Sequence, residues 1–240
     1  IPSEVRVMRA PWVGRLVEVW RTSLARKAER VRVFEIGRVF KRDASVVDGG
    51  QTVAGFDQPV RVSGLAYGPA DVQQWGVSAR QVDFFDVKGD VEALLAPRQA
   101  RFEAFEHPAF HPGRCAQVWV GDVAVGVVGE LHPKWRQAYD LPQAPVLFEL
   151  DADALVQRPV PSFTSVPRMQ SVFRDLALVV NADLRADKVL ASLWAAAPAT
   201  VRAIELFDVY QGKGIEPDRK SLAFRVLMQD TQRTLEDAEV

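Results

Sequence analysis

Cysteine is all but missing: Cys115 is the one cysteine in 240 residues. An internal disulfide is therefore excluded, and the chain suits a reducing compartment. Long apolar runs are missing too, with none near the ~18 residues that cross a bilayer. The N-terminus carries no basic-then-apolar leader pattern. A cytoplasmic location away from membranes is the expectation. Charge of one sign is also lacking, since 30 basic side chains meet 31 acidic ones for a net charge of −1. The chain as a whole is thus no electrostatic magnet for nucleic acid. Glycine and proline, fifteen each, are scattered, so no low-complexity linker stands out.

What is present is an ordinary globular composition, 48% apolar and 25% charged, enough for one or two packed domains. Charge is uneven along it. Residues 1–44 carry eleven basic side chains against five acidic ones, whereas residues 160–240 carry ten against eleven. The first residue is Ile1 and the last, Val240, falls just inside a helix-like start, which reads as a piece of a longer polypeptide.

Val13 to Glu29 spaces Leu16, Trp20, Leu24 and Ala28 four apart, the pattern of an amphipathic helix with Arg15, Arg21, Arg26 and Lys27 off the apolar stripe. Val31–Ile36 alternates as a strand, with Gly37 as an interruption and Val39-Phe40 as a continuation. Val60–Tyr67 and Val146–Leu150 read as further strands. Phe85–Ala96 reads as a helix capped by Asp83 or Asp86 and stopped by Pro97. His107–Gly113 is a proline-broken loop, and Gly121-Asp122 turns a hairpin between Ala116–Val120 and Val123–Val128. A short helix starts after His132-Pro133. Strands and helices mix without βαβ repetition, so this part is α+β with mostly antiparallel strands. The prolines of Arg158-Pro159-Val160-Pro161 mark a boundary, giving domains at 1–157 and 162–240.

The second domain runs strand (Phe173–Val180), helix, strand (Glu205–Tyr210), strand (Lys220–Val226), with a second helix expected from Leu235. That order is the front of a split βαβ unit, the ferredoxin-like plan. Only five residues follow Leu235, too few for the second helix and fourth strand, so the plan is truncated. Alternation puts Leu176, Leu178, Val180, Ile204, Leu206, Leu222, Phe224 and Val226 against Val189, Leu190, Leu193 and Trp194 of the helix. Asp175, Ala177, Phe207, Ser221, Ala223, Arg225 and Leu227 line the opposite, open face. Such a face with an aromatic and a few polar groups suits single-stranded RNA.

Two motifs have simpler structural accounts. His107, His111 and Cys115 stand four apart, but Pro108 and Pro112 forbid the helix that would align them on a metal. Gly212-Lys213-Gly214 lacks the phosphate-loop frame and reads as a hairpin turn.

The words "FRDLALVV" (Phe173–Val180), "LFDVYQGKG" (Leu206–Gly214) and "KSLAFR" (Lys220–Arg225) resemble the ferredoxin-fold anticodon-binding domain that ends the bacterial phenylalanyl-tRNA synthetase β chain. "VRVFEIGRVF" (Val31–Phe40), "DFFDVKGDVEALL" (Asp83–Leu95), "HPGRCA" (His111–Ala116) and "VGVVGELHP" (Val125–Pro133) resemble the catalytic-like, class II synthetase-like module of the same family. Several words in one order make the resemblance specific. It implies a heterotetrameric ligase in which a partner α chain attaches phenylalanine to tRNA-Phe, with ATP and Mg required by the whole enzyme. It further implies that Asp208, Tyr210 and Ser221 contact the anticodon region, with Arg174 and Asp175 as weaker candidates. Strict alternation would turn Asp208 and Tyr210 towards the helix, so a bulge or the strand's end must turn them out.

Active class II cores end a strand in F-R-x-E, whose arginine forks onto the nucleotide phosphate. Here Phe40-Lys41-Arg42-Asp43 places a lysine in that slot, and Gly129-Glu130-Leu131 lacks the later arginine. The resemblance thus implies a non-catalytic copy with no catalytic or metal-binding residue and no cofactor of its own. The alternatives are a ligase acting alone, disfavoured by those losses, and a regulatory module that binds an amino acid through its ferredoxin-like domain.

Overall fold

The computed structural model describes residues 13–50, 52–160, 162–163, 169–230 and 233–235. By contacts the chain divides into two units, 1–160 and 161–240.

The first unit begins with α1 (Val13–Ala25), which buries Leu16, Val17 and Trp20. The helix stops short of Glu29, and Lys27 beyond its end sits at φ 61°. Then come β1 (Val31–Arg38), β2 (Lys41–Arg42), β3 (Phe56–Asp57), β4 (Val60–Tyr67), α2 (Phe84–Leu95) and β5 (Ala100–Ala104). β6 (Phe110–Val120), β7 (Val123–Leu131), α3 (Pro133–Ala138), β8 (Val146–Asp151) and α4 (Ala152–Val156) complete it. Six strands form one antiparallel sheet in the order β1-β4-β8-β7-β6-β5.

Period-2 alternation gives this sheet two apolar faces. On one, Val62, Ala66, Val118, Val128, Phe148 and Leu150 pack with Val87, Val91 and Leu95 of α2 and Ala154 of α4. On the other, Val31, Leu65, Cys115, Leu131 and Leu147 receive the buried stripe of α1. Gly126 is required for space, since a Cβ there would run into the Glu149 carbonyl on β8.

Several sequence expectations change. Gly37 does not interrupt β1 but pairs with Arg61, because a glycine in a strand weakens packing without breaking the ladder. Val39-Phe40 do not extend it; the chain turns off the sheet and pairs Lys41-Arg42 with Phe56-Asp57. The His107–Gly113 loop is shorter than expected, as β6 starts at Phe110 and absorbs Pro112 and Gly113 in a register irregularity before Cys115. β5 and α4 were not foreseen: β5 is short and charged, and α4 has a single turn. The two-residue turn at Gly121-Asp122 closes the β6–β7 hairpin, with Gly121 at φ 58°.

The second unit holds β9 (Val172–Asn181), α5 (Ala186–Ala196), β10 (Val201–Tyr210) and β11 (Arg219–Met228). The sheet order is β10-β11-β9, with β11 antiparallel to both neighbours. This is the split βαβ arrangement, α5 crossing between two parallel strands. Val189, Ile204, Leu222 and Phe224 form its buried core, joined by Leu178, Leu190, Leu193 and Val226. Trp194, Leu176 and Leu206 depart from expectation: they are 43%, 38% and 38% exposed and outside the core cluster, near the open end of a small core. The helix expected from Leu235 lies outside the described residues.

The N-terminus of α2 is held by a capping box, with the Asp83 carboxylate accepting from the Phe85 and Asp86 amides and Asp86 accepting from the Asp83 amide. Arg80 grips Asp86 through two bonds of 2.7 and 2.6 Å, and this pairing holds the Asp86 carboxyl down at about 2. The folded-state value lies below the unfolded one of about 3.9, so this stabilisation is present above that value and is lost as pH falls through about 2. Asp86→Asn is expected to cost about 1 kcal/mol at pH 7. The gap between variant and wild type, measured by denaturant melts, closes between pH 4 and pH 2; a gap constant across that window refutes the assignment.

Candidate nucleic-acid interface

The open face of the second unit is built by alternation on three strands and two register shifts in β10, of which the second shapes the site. Leu206 on β10 pairs with Phe224, but the next register partners are Asp208 and Ala223. Phe207 is therefore an extra residue, a β-bulge. Without it Asp208 would share the Leu206 face. With it Asp208 pairs across to Ala223 and Tyr210 to Ser221, both on the open face.

The face consists of cross-strand rows. Tyr210, Ser221 and Val179 form one row; Asp208, Ala223 and Ala177 form the next; Glu205, Arg225 and Asp175 form a third. The middle row is a floor of two alanines with a carboxylate at its edge. Ser221 and Arg225 are four residues apart on β11, about 13 Å at the rise of a strand. The floor has room for a flat ring.

Aromatic and charged groups frame this floor. The Arg225 guanidinium lies over the Phe207 ring, 5.1 Å from its centroid. Arg225 also donates two bonds of 2.9 Å to Asp175, which holds the Asp175 carboxyl below the usual carboxylate range. Phe207 and Tyr210 are 52% and 45% exposed. The Tyr210 hydroxyl donates to the Lys213 carbonyl at 3.1 Å, and its ring packs over Gly212 so closely that a Cβ there would meet the hydroxyl at 2.9 Å. Gly212-Lys213-Gly214 is a hairpin turn with Gly214 at φ 95°.

Four of the five sequence candidates, Asp208, Tyr210, Ser221 and Asp175, thus share one face. Arg174 does not: it pairs with Val226, on the side that α5 covers. The Arg225–Phe207 contact was absent from the candidate set, although alternation had placed both residues on this face. Only the three-dimensional register shows that they meet.

The first unit assembles no comparable chemistry where the sequence pointed to it. Lys41 and Arg42 sit exposed on the β2–β3 ribbon. The Asp43 carboxylate is spent on Ser45, accepting from its amide at 2.9 Å and its hydroxyl at 2.6 Å, and these bonds hold its carboxyl low. These residues do not fit a site for nucleotide phosphates. His107 is a turn residue whose Nδ1 accepts from the Ala109 amide, while Cys115 is buried, its thiol pushed up to about 11 by desolvation. Among the described residues no three histidine, cysteine or carboxylate side chains converge as metal ligands.

The model of the phenylalanyl-tRNA synthetase beta chain CLM domain matches residues 1–152, and that of the ferredoxin-fold anticodon-binding domain matches residues 167–240. The chain belongs to the phenylalanyl-tRNA synthetase beta-chain family. Its curated relatives include the phenylalanine–tRNA ligase beta subunits of Ralstonia nicotianae (52% identity, 99% of this chain, 30% of that one) and Cupriavidus pinatubonensis (51% identity, 100% and 31%). The beta subunit of Aromatoleum aromaticum is 51% identical over 100% of this chain and 30% of its own length. The chain spans about 30% of the length of these beta subunits. Among solved structures it resembles a pyrrolysyl-tRNA synthetase of Desulfitobacterium hafniense, with a TM-score of 0.43 and 14% identity over 62% of this chain and 47% of that one. The mixed α+β architecture expected from sequence is the one observed, and the ferredoxin-fold ending agrees with the matching domain model. The amino-acid-binding alternative gains no support from them.

The Arg225–Asp175 pair is a direct handle on this face. Arg225→Ala is expected to return the Asp175 carboxyl to the ordinary range near ~3.9. Both partners are exposed, so stability should change little. A carboxyl-resolved NMR titration reads the shift; an Asp175 that stays low in the variant would mean that Arg225 is not its cause.

Proposed function

We propose that this chain is the non-catalytic end of a phenylalanine–tRNA ligase beta subunit. In this reading the second unit holds the anticodon region of tRNA-Phe and the first unit supports a partner alpha subunit that performs the ATP-dependent attachment. The carrying observation is the bulge at Phe207, which aligns Asp208 and Tyr210 with Ser221 beside an alanine floor. A base laid on Ala177 and Ala223 would have an aromatic rim and acceptors and donors at its edges.

Two further observations support the reading. Residues 160–240 are nearly balanced in charge, and Arg225 on the open face is paired with Asp175. Recognition there rests on stacking and hydrogen bonds more than on released counterions. In this reading Lys41 and Asp43 do not grip a nucleotide, and ATP and Mg serve the full enzyme rather than this chain. No helix among the described residues is long and apolar enough to cross a membrane, in keeping with work in the cytoplasm.

Tyr210 tests the interface. Stacking is worth roughly 1–3 kcal/mol per base, about 5- to 150-fold in affinity. In the complete ligase Tyr210→Ala should raise the KM for tRNA-Phe within that range and leave phenylalanine activation unchanged. Tyr210→Phe loses only the bond to Lys213 and should stay within about 2-fold of wild type. Equal effects of both substitutions would make Tyr210 a turn-fixing residue and remove it from the interface.

The isolated chain should show no phenylalanine-dependent ATP–pyrophosphate exchange, since it lacks the arginine pair that steadies phosphate charge in the transition state. Exchange abolished by Lys41→Ala would make it a ligase in its own right.

A further inference from the structure

On the open face of the second unit, acidic groups outnumber basic ones. The row of Glu205, Arg225 and Asp175 and the neighbouring row of Asp208, Ala223 and Ala177 hold three carboxylates and one guanidinium. A phosphate brought to Arg225 would meet Asp175 on one side and Glu205 on the other, with no second cation in these rows to offset them. Any part that Arg225 plays in holding a nucleic acid has to come from something other than its charge.

Its shape supplies one. Nε and Nη2 of Arg225 donate to the two carboxylate oxygens of Asp175, each at 2.9 Å, so one edge of the planar guanidinium is locked to β9. A fork bonded in its own plane is held against rotation. Its Cζ lies over the Phe207 ring, 5.1 Å from the centroid, and half of the side chain stays exposed. The bonds to Asp175 run in the guanidinium plane and leave its faces unspent. A flat, delocalised group with a ring behind it and solvent before it is a surface on which a nucleobase stacks. The carboxylates that repel a phosphate leave this contact open, because a base carries no net charge. Fixing the plane before binding also lowers the ordering cost of a long side chain.

We propose that Arg225, locked by Asp175 and backed by Phe207, is a stacking platform for a second base of single-stranded RNA, separate from the base at Tyr210. This rests on the reading of the second unit as the holder of the anticodon region. Ser221, the register partner of Tyr210, and Arg225 are four residues apart on β11, about 13 Å. Neighbouring stacked bases are only ~3.4 Å apart. The two platforms therefore take bases splayed apart along the strand, with the alanine floor between them.

The experiment uses the complete ligase and tRNA-Phe transcripts, some lacking a single base in the anticodon loop. Arg225→Ala should raise the KM for tRNA-Phe by roughly 5- to 150-fold, the range of one stacked base, with the effect on KM rather than kcat. The salt dependence of KM should keep its slope, since no phosphate contact is lost. Arg225→Lys keeps the charge, loses the plane and should resemble Arg225→Ala. One abasic position should erase the difference between wild type and Arg225→Ala, and a different one should do so for Tyr210→Ala. Rescue by lysine, with a shallower salt slope in Arg225→Ala, makes Arg225 a phosphate contact and overturns the platform. A loss that no abasic position removes, or one position coupled to both residues, overturns it too. An unchanged KM in Arg225→Ala beside an impaired Tyr210→Ala overturns the platform and leaves the anticodon reading standing. If both alanine variants and all abasic transcripts match wild type, the anticodon reading falls and the platform with it.

Discussion

Among the described residues β11 is the one strand of the second unit bonded along both edges, and the unit's two faces hang on its register. Leu222 and Phe224 face α5 and are fully buried, each worth about 1.5–3 kcal/mol of apolar burial. Ser221, Ala223 and Arg225, one residue out of phase, cannot then point anywhere but to the open face. A one-residue slip would exchange the two sets, putting a guanidinium into the core and Phe224 into water. The apolar core therefore also fixes the open face, because the same strand carries both.

β10 shows where simple alternation stops being informative. From Ala203 to Leu206 its parity follows β11; beyond the extra residue at Phe207 the parity is inverted. The sequence contains the conflict, since Asp208 and Tyr210 fall in step with Ile204 and Leu206, but it does not contain its place. A bulge is a property of two strands paired together, set by which partner each amide finds. Arg174 and Asp175 entered together through the family resemblance, but alternation already set them on opposite faces, and the register agrees, pairing one with Val226 and the other with Arg225. Elements with strong local signals were readable: the capped α2, the Gly121-Asp122 hairpin, the alternating β4 and β8. β5 has only Ala100, Phe102 and Ala104 on its inward side and is defined by pairing with β6. The bridge over Gly37 is likewise a tertiary fact, made by Arg61 opposite it.

The first unit is a large sheet whose polar side chains are mostly committed to holding backbone in place. Asp43 closes a turn with Ser45, Asp83 and Asp86 cap α2, His132 caps α3 by accepting from the Lys134 amide, and Arg136 ties down the carbonyls of Leu141 and Pro142. A catalytic centre needs some of its charged groups directed at a substrate, which leaves them poorly satisfied in the empty protein. The residues in the positions that sequence had marked for phosphate handling are either turned to solvent or already bonded within the chain. Their type and their placement point the same way, which is stronger than the substitution of lysine for arginine taken alone.

Charge on the open face is compensated within the face. Arg225 meets Asp175 on one side and stands in register with Glu205 on the other, over an aromatic ring supplied by the bulge. A ligand approaching this surface gains little from net attraction, and a phosphate would have to compete with Asp175 for the guanidinium. What the face offers without competition is the alanine floor, two half-exposed aromatic rings and the hydroxyl and carboxylate edges of Ser221 and Asp208. In the proposed reading those groups would distinguish bases by shape and hydrogen bonding rather than attract backbones by charge. The extra residue in β10 therefore acts twice: it turns Asp208 and Tyr210 outward, and it supplies the Phe207 ring beneath the arginine.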